Sequence, residues 1–365
     1  MYPFIRPTMP EPEEWLGLLS EVYAERRFSN FGPLATRLER ELGERYASPG
    51  RSVVLVSSAT AGLTAALLAL DVRGPVAMPS FTFPATAGAV VLAGCEPLFL
   101  DVSPDTWELD LGQLRDALER RKVGAIVHVR TLGLCHDLDQ LERLAQAFGV
   151  PLICDAAASL GGREECGRWV GSAGDAEVFS LHATKVFGVG EGGAVFLADH
   201  LAERLRRTIN FGLADGVPEA LGFNGKLSEV HAAIGLAVLG RIDAAVAHRA
   251  GVAGRYRTEL SAALDVVHPP DGGLPPWQTY PIALSGDAES AVGRLLEAGV
   301  GVRRYYTPPL HRTRPFAADV ALPVTDDLAA RMLCLPVYSD MQAHEQEEII
   351  VRLNATLAQS LNEVA

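Results

Sequence analysis

Between residues 51 and 154 the chain alternates short, unbroken apolar runs with longer stretches of helical period. Val53–Val56, Val76–Met78, Pro97–Val102, Ala125–Val129 and Leu152–Cys154 read as strands. Ala59–Leu70, Thr86–Leu92, Leu111–Arg121 and Asp139–Phe148 read as the helices between them. Because the strand runs are continuous and do not alternate with polar residues, they predict a mostly parallel sheet covered by helices on both faces. Ahead of this block, Glu11–Arg26 places Trp15, Leu18, Leu19 and Val22 on one helical face, and a turn at 28–33 leads to a helix over Leu34–Tyr46. Behind it, Leu227–Leu239 and Ala244–Leu264 read as long helices leading out of the block. From about Asp265 the pattern changes to short strands, prolines, one helix (Ala288–Ala298) and a closing helix over Ala343–Leu361. The expectation is an α/β fold: a large domain over residues 1–245 and a smaller C-terminal α/β domain over 246–365.

One stretch stands apart. Asp175 to Leu197 reads as a strand, a polar end carrying Ser180, His182, Thr184 and Lys185, a glycine-rich turn and a second strand. A lysine held at an apolar sheet edge loses hydration, its pKa falls, and the neutral amine becomes a nucleophile. The plainer reading is a strand-end lysine that reaches solvent. The turn Gly188-Val189-Gly190-Glu191-Gly192-Gly193 satisfies the spacing of a dinucleotide-binding loop. That loop requires a helix after it, and Ala194-Val195-Phe196-Leu197 is β-like, so the dehydrogenase reading fails.

Ligands of open α/β sheets sit beyond the carboxyl ends of the strands. After the first strand, Ser57-Ser58-Ala59-Thr60-Ala61-Gly62 opens a helix with small hydroxyl residues, either a phosphate cradle or a simple N-cap. After the Met78 strand come Phe81 and Phe83, and after the Ile153 strand comes Asp155 among alanines. A carboxylate in apolar surroundings needs a cationic partner. A phosphate cradle, an aromatic face, a buried carboxylate and a desolvated lysine, in that order at strand ends, are the parts required to hold pyridoxal 5′-phosphate (PLP).

Composition narrows the partners. A chain of 365 residues can bury a sizeable core, and 48% hydrophobic with 21% charged residues suits a soluble globular enzyme. A net charge of −13 argues against nucleic acid and anionic membrane as partners, so an anionic small molecule would need a local basic pocket. Five scattered cysteines without C-x-x-C spacing indicate reduced thiols and no zinc site. Pro3, Pro7, Pro10 and Pro12 interrupt any leader-like apolar run, and the expected location is cytoplasmic.

The chain resembles the DegT/DnrJ/EryC1/StrS family of PLP-dependent sugar aminotransferases of fold type I over nearly its whole length. The resemblance is carried by Phe28-Ser29-Asn30-Phe31-Gly32-Pro33, Ser58-Ala59-Thr60-Ala61, Pro79-Ser80-Phe81-Thr82-Phe83-Pro84, Asp155-Ala156-Ala157, Phe179 through Lys185, Gly190-Glu191-Gly192-Gly193, Gly222-Phe223-Asn224, Pro309-Leu310-His311 and Leu335-Pro336-Val337-Tyr338. It implies that Lys185 forms the Schiff base and shuttles the proton, and that Asp155 pairs with the ring nitrogen. Thr60, Ala61 and Ser180 would hold the cofactor phosphate, with Phe83, in preference to Phe81, stacking on the ring. His182 would line the substrate side. Asn224 would reach the phosphate in a neighbouring subunit of a homodimer. The implied reaction moves an amino group from an amino acid, glutamate by expectation, to a keto group on a nucleotide-linked sugar. Alternatives are a free cyclitol or aminoglycoside ketone as acceptor, or a non-catalytic binding protein on the same fold.

The sequence also departs from the family pattern. Ala158 stands where the family carries a glutamine near the ring hydroxyl, Lys226 where arginine is common and Phe211 where histidine is common. Arg130 falls in a segment that differs from the family's, where it would either meet an anionic group of the substrate or form an internal ion pair. The arginines around 303–314 form the candidate basic pocket, with Arg304, Tyr306, His311 and Arg312 as candidate substrate residues; the alternative is a solvated edge.

Overall fold

Unbroken apolar runs form strands that need cover on both faces, and the computed structural model, which describes residues 1–260 and 266–362, supplies that cover. The strands are β1 (Arg51–Val56), β2 (Pro75–Pro79), β3 (Glu96–Leu100), β4 (Ala125–Val129), β5 (Leu152–Asp155), β6 (Ala176–Ser180) and β7 (Gly193–Ala198). They form one sheet in the order β1-β7-β6-β5-β4-β2-β3. β2, β3, β4, β5 and β6 run parallel, while β7 is antiparallel to both β6 and β1. The carboxyl ends of β1, β4, β5 and β6 therefore open on one edge. Every residue of β4 and β5 is buried, including the polar His128 and Asp155 within their otherwise apolar sequences.

Helix Ala59–Ala69 is apolar on every side because it is enclosed on every side. Gly62 brings it against the sheet: a methyl group there would lie 2.8 Å from Val178 Cγ1. Helix Pro33–Tyr46 is amphipathic, and Leu34, Leu38 and Leu42 form its buried stripe. Its open N-terminus receives the buried carboxylate of Glu229, which accepts from the Leu34 N–H at 2.7 Å.

Beyond a short hairpin of β8 (Leu213–Ala214) and β9 (Val217–Pro218), a three-stranded antiparallel sheet joins β10 (Val266–Val267), β11 (Tyr280–Leu284) and β12 (Met332–Leu335). It has its own apolar core, shared with helices Ile242–Glu259, Glu289–Glu297 and Ala343–Asn362. The N-terminal segment belongs to this core. Tyr2 bridges Val300, and Arg6 pairs with Glu345 at 2.8 Å and Asp340 at 3.0 Å. Residue 245 lies inside helix Ile242–Glu259, which packs on this second core. No single helix among the described residues is long and apolar enough to cross a membrane.

Some predicted elements differ. The single helix expected over Glu11–Arg26 is three pieces, Pro12–Trp15, a 3-10 turn at Leu16–Leu18 and Leu19–Glu25, with Gly17 inside the break. Helix Asp199–Thr208 was not anticipated, and Pro323–Arg331 is a second helix in the smaller unit where one was expected. The helix expected over Ala244–Leu264 is observed as Ile242–Glu259, and residues 261–264 lie outside the described residues.

Candidate active site

The carboxyl edge of the large sheet opens into a cavity of about 430 Å³. Its walls include Ser58, Ala59, Thr60, Phe83, Asp155, Ala158, Ser180, His182 and Lys185 from the large sheet. Gln278, Thr279, Arg303, Tyr305 and Tyr306 contribute from the smaller unit.

The chemistry follows from what each strand delivers. β5 ends on Asp155, a carboxylate only 6% exposed, which accepts from Thr86 Oγ1 at 2.7 Å and from the Ala157 N–H at 3.2 Å. Burial pushes its pKa above the ordinary value, against the pull of those two donors and of Lys185. Burial likewise pushes the Lys185 ammonium below its ordinary pKa, with Asp155 pulling the other way. The amine is thus poised nearer its nucleophilic form than a surface lysine.

Ser58 caps helix Ala59–Ala69, its side chain accepting from the Ala61 N–H at 3.1 Å. The first intrahelical bond in this turn runs from Gly62 to Ser58 O. The N–H groups of Ala59 and Thr60 therefore remain for an anion at the positive end of the helix. Gly193 makes room for this approach of strand and helix, since a methyl there would lie 2.8 Å from Ala59 N. Phe83, 54% exposed, offers its ring to the cavity. Phe81 is fully buried, edge-on to Tyr306 at 5.2 Å.

A buried carboxylate without an ion-pair partner among the described residues, a desolvated amine, free helix N–H groups and an open aromatic face fit a flat, phosphorylated, cationic heterocycle. The model of the DegT/DnrJ/EryC1/StrS aminotransferase family matches residues 11–354.

The chain belongs to this family.

A Mycobacterium tuberculosis (strain ATCC 25618 / H37Rv) protein, Rv3402c, is 34% identical over 95% of this chain and 88% of its own length. The dTDP-4-amino-4,6-dideoxy-D-glucose transaminase of Shigella dysenteriae is 30% identical over 94% and 96%. The solved structure of DesI, determined in the presence of its TDP-sugar product, is 33% identical, covers 100% of this chain and 95% of its own, and superposes with a TM-score of 0.90. The chain is accordingly a PLP-dependent aminotransferase of the DegT/DnrJ/EryC1/StrS type.

Several sequence candidates are not free to meet a ligand or lie outside the cavity. Ala61 does not line the cavity and its N–H is already bonded, leaving Ala59 beside Thr60 as the free donors. Arg130 is no substrate residue: its guanidinium is fully enclosed, bonded to Glu177 at 2.9 Å, to Glu164, and to the His136 carbonyl at 3.0 Å. Burial disfavours its charge, but the carboxylates led by Glu177 outweigh that and hold its pKa well above the ordinary value. Arg304 is taken by Glu289, Asp287 and the carbonyls of Ala329 and Ala330. His311 is locked between Ser80 at 2.8 Å and Asp326 at 3.2 Å, and Arg312 pairs with Asp326 at 2.7 Å. None of these three lines the cavity, whereas Tyr306 does.

His182 lines the cavity with Nδ1 at 2.8 Å from Thr184 Oγ1, and Glu191 stands 3.6 Å from its Nε2. Asn224 is exposed outside this chain's own cavity. At Ala158 the wall is a methyl group; Gln278 is the glutamine that does line the cavity, donating from Nε2 to the Thr184 carbonyl at 2.6 Å. Phe4 and Ile5, which no motif or spacing marks in the sequence, are brought into the wall by the N-terminal segment.

The raised pKa of Asp155 has a thermodynamic sign. The folded carboxyl holds its proton more tightly than the unfolded one, so the ionised group costs stability once pH exceeds the folded pKa. Asp155→Asn should therefore raise the melting temperature of the cofactor-free protein. The gain should appear as pH rises from the ordinary carboxylate value, about 3.9, through the raised one, and vanish in acid. Transamination by the same variant should fall by about 10²-fold or more. Thermal denaturation across pH and a steady-state assay check the two halves.

Proposed function

We propose that this aminotransferase moves an amino group from an amino acid, with glutamate the expected donor, to the keto carbon of a nucleotide-linked sugar. The observation that carries the mechanism is the presence of Lys185 and Asp155 in one cavity with the face of Phe83 and the N–H groups of Ala59 and Thr60. The sugar reading is supported by relatives named for dTDP-linked sugars. Asp155 would hold the cofactor ring nitrogen, Thr60, Ala59 and Ser180 its phosphate, and Phe83 its ring face. Bound there, PLP supplies an electron sink for the carbon that carries the amine. Lys185 Nζ, the one side-chain amine lining the cavity among the described residues, is placed to take the proton from the donor's α-carbon and return it to the acceptor carbon.

The proposal extends to assembly. Asn224, exposed and unused by its own chain's cavity, would serve the cofactor phosphate of a second subunit in a homodimer. The two cores would act as a larger cofactor-binding unit and a smaller C-terminal unit, in a cytoplasmic enzyme.

Incubation with PLP, glutamate and a panel of keto sugars, each offered nucleotide-linked and as a free ketone, tests the reading. Mass analysis should find a ketone replaced by an amine on a nucleotide-linked product. Amination confined to free cyclitol or aminoglycoside ketones would replace this reading.

A further inference from the structure

The chain carries a net charge of −13, so an anionic substrate must find a local cation. Besides His182, the lysine and arginine residues in the cavity wall among the described residues are Lys185, Arg130 and Arg303. Lys185 faces Asp155 as the reacting amine, and Arg130 turns a fully enclosed guanidinium toward Glu177 and Glu164. Arg303 differs from both. Its side chain has no carboxylate within ion-pair distance among the described residues, and its NH1 donates to the Tyr305 hydroxyl at 3.0 Å. Its neighbour Arg304, by contrast, is spent on Glu289 and Asp287.

We propose that Arg303 is the cation that receives the diphosphate of a nucleotide-linked acceptor at the cavity mouth; this rests on the acceptor reading given above. The site is built from two directions. Backbone bonds in both senses between Arg303 and Cys334, at 3.2 and 2.7 Å, fix the residue at the edge of the smaller sheet. The guanidinium carbon lies 5.7 Å from the Phe4 ring centroid and 5.5 Å from that of Tyr305, so aromatic faces orient the planar fork. Phe4 is itself fixed, because Tyr2 bonds the backbone of Gly299 and Gly301, at 2.8 Å each. An exposed guanidinium held in this way presents donors that match phosphate oxygens two at a time.

Depth selects the ligand. The α-carboxylate of an amino donor is bonded to the reacting carbon and must sit beside Lys185. A diphosphate attached to the anomeric carbon lies several bonds from the keto carbon, and the exposed rim is the place for it. The carboxylates that face the same cavity, Asp155 and Glu191, act from the β5 end and from beside His182.

The test uses the PLP-loaded enzyme with thymidine diphosphate and uridine diphosphate as probes, in wild type, Arg303→Ala and Arg303→Lys. Loss of a charge-assisted contact should weaken binding of at least one diphosphate by about tenfold to a hundredfold in Arg303→Ala. The lysine variant should fall between. KM for the nucleotide-linked sugar should rise in parallel, while the glutamate half-reaction, followed by bleaching of the cofactor absorbance, keeps its wild-type rate. Wild-type diphosphate affinity in Arg303→Ala, or an equal slowing of the glutamate half-reaction, would overturn the assignment and leave the acceptor reading intact. A wild-type enzyme that binds neither diphosphate and aminates no nucleotide-linked sugar would overturn both.

Discussion

Lys185→Ala should lower the rate of transamination by about 10³-fold or more, the scale set by removing a group that transfers the proton. The loss should not come from unfolding, since Lys185 Nζ makes no hydrogen bond among the described residues and the residue lies in a cavity wall, not in a packed core. The circular dichroism spectrum should match that of the wild type. Small primary amines added to the assay should restore part of the rate, because they return a base to the vacated space without a covalent tether. Activity near the wild-type level would show that the amine at position 185 is not the proton carrier.

Arg130→Ala should have the largest effect on stability. Glu164, Glu177 and the guanidinium between them are fully enclosed. Arg168, which also pairs with Glu142 at 2.9 Å, bonds Glu164 at 2.7 Å, and the Ala173 N–H bonds Glu177 at 2.9 Å, so Arg130 is the cation the two enclosed carboxylates share. Burial pulls the Glu177 pKa up, while Arg130 and the backbone donors outweigh that and hold it below the ordinary carboxylate value. Taking Arg130 away leaves a buried negative charge and an unbonded His136 carbonyl, at a cost of about 3–5 kcal/mol. Denaturant unfolding of the cofactor-free protein should show it as a lower midpoint. A substrate-binding arginine would behave in the opposite way, with a raised KM and unchanged unfolding.

Most strands of the large sheet were legible as apolar runs, a signal that depends on neighbours in sequence, although β4 includes His128 and β6 includes Glu177. The site was legible for a related reason: Asp155 and Ser180 end their strands, the Ser58 turn follows another, and parallel topology brings strand ends together without further information. What the sequence hid is pairing over distance. Arg130 finds its carboxylates 34 and 47 residues further along the chain, and no periodicity links them. Arg304 and Arg312 resemble a basic patch until Asp287, Glu289 and Asp326 are folded against them. Phe4 reaches the cavity wall only because residues 2–6 cross to the smaller unit. The broken helix near Gly17 shows the limit of periodicity itself, since an amphipathic pattern continues through a residue at which the helix does not.

Lysine occurs at three positions in the chain, 122, 185 and 226, so the residue that holds the cofactor can be identified directly. The protein is loaded with PLP, reduced with borohydride to make the linkage permanent, digested, and its peptides weighed. The cofactor mass should appear on the peptide that contains Lys185 and be absent from those that contain Lys122 and Lys226. A label on either of the other two lysines, or on none, would show that Lys185 does not hold the cofactor.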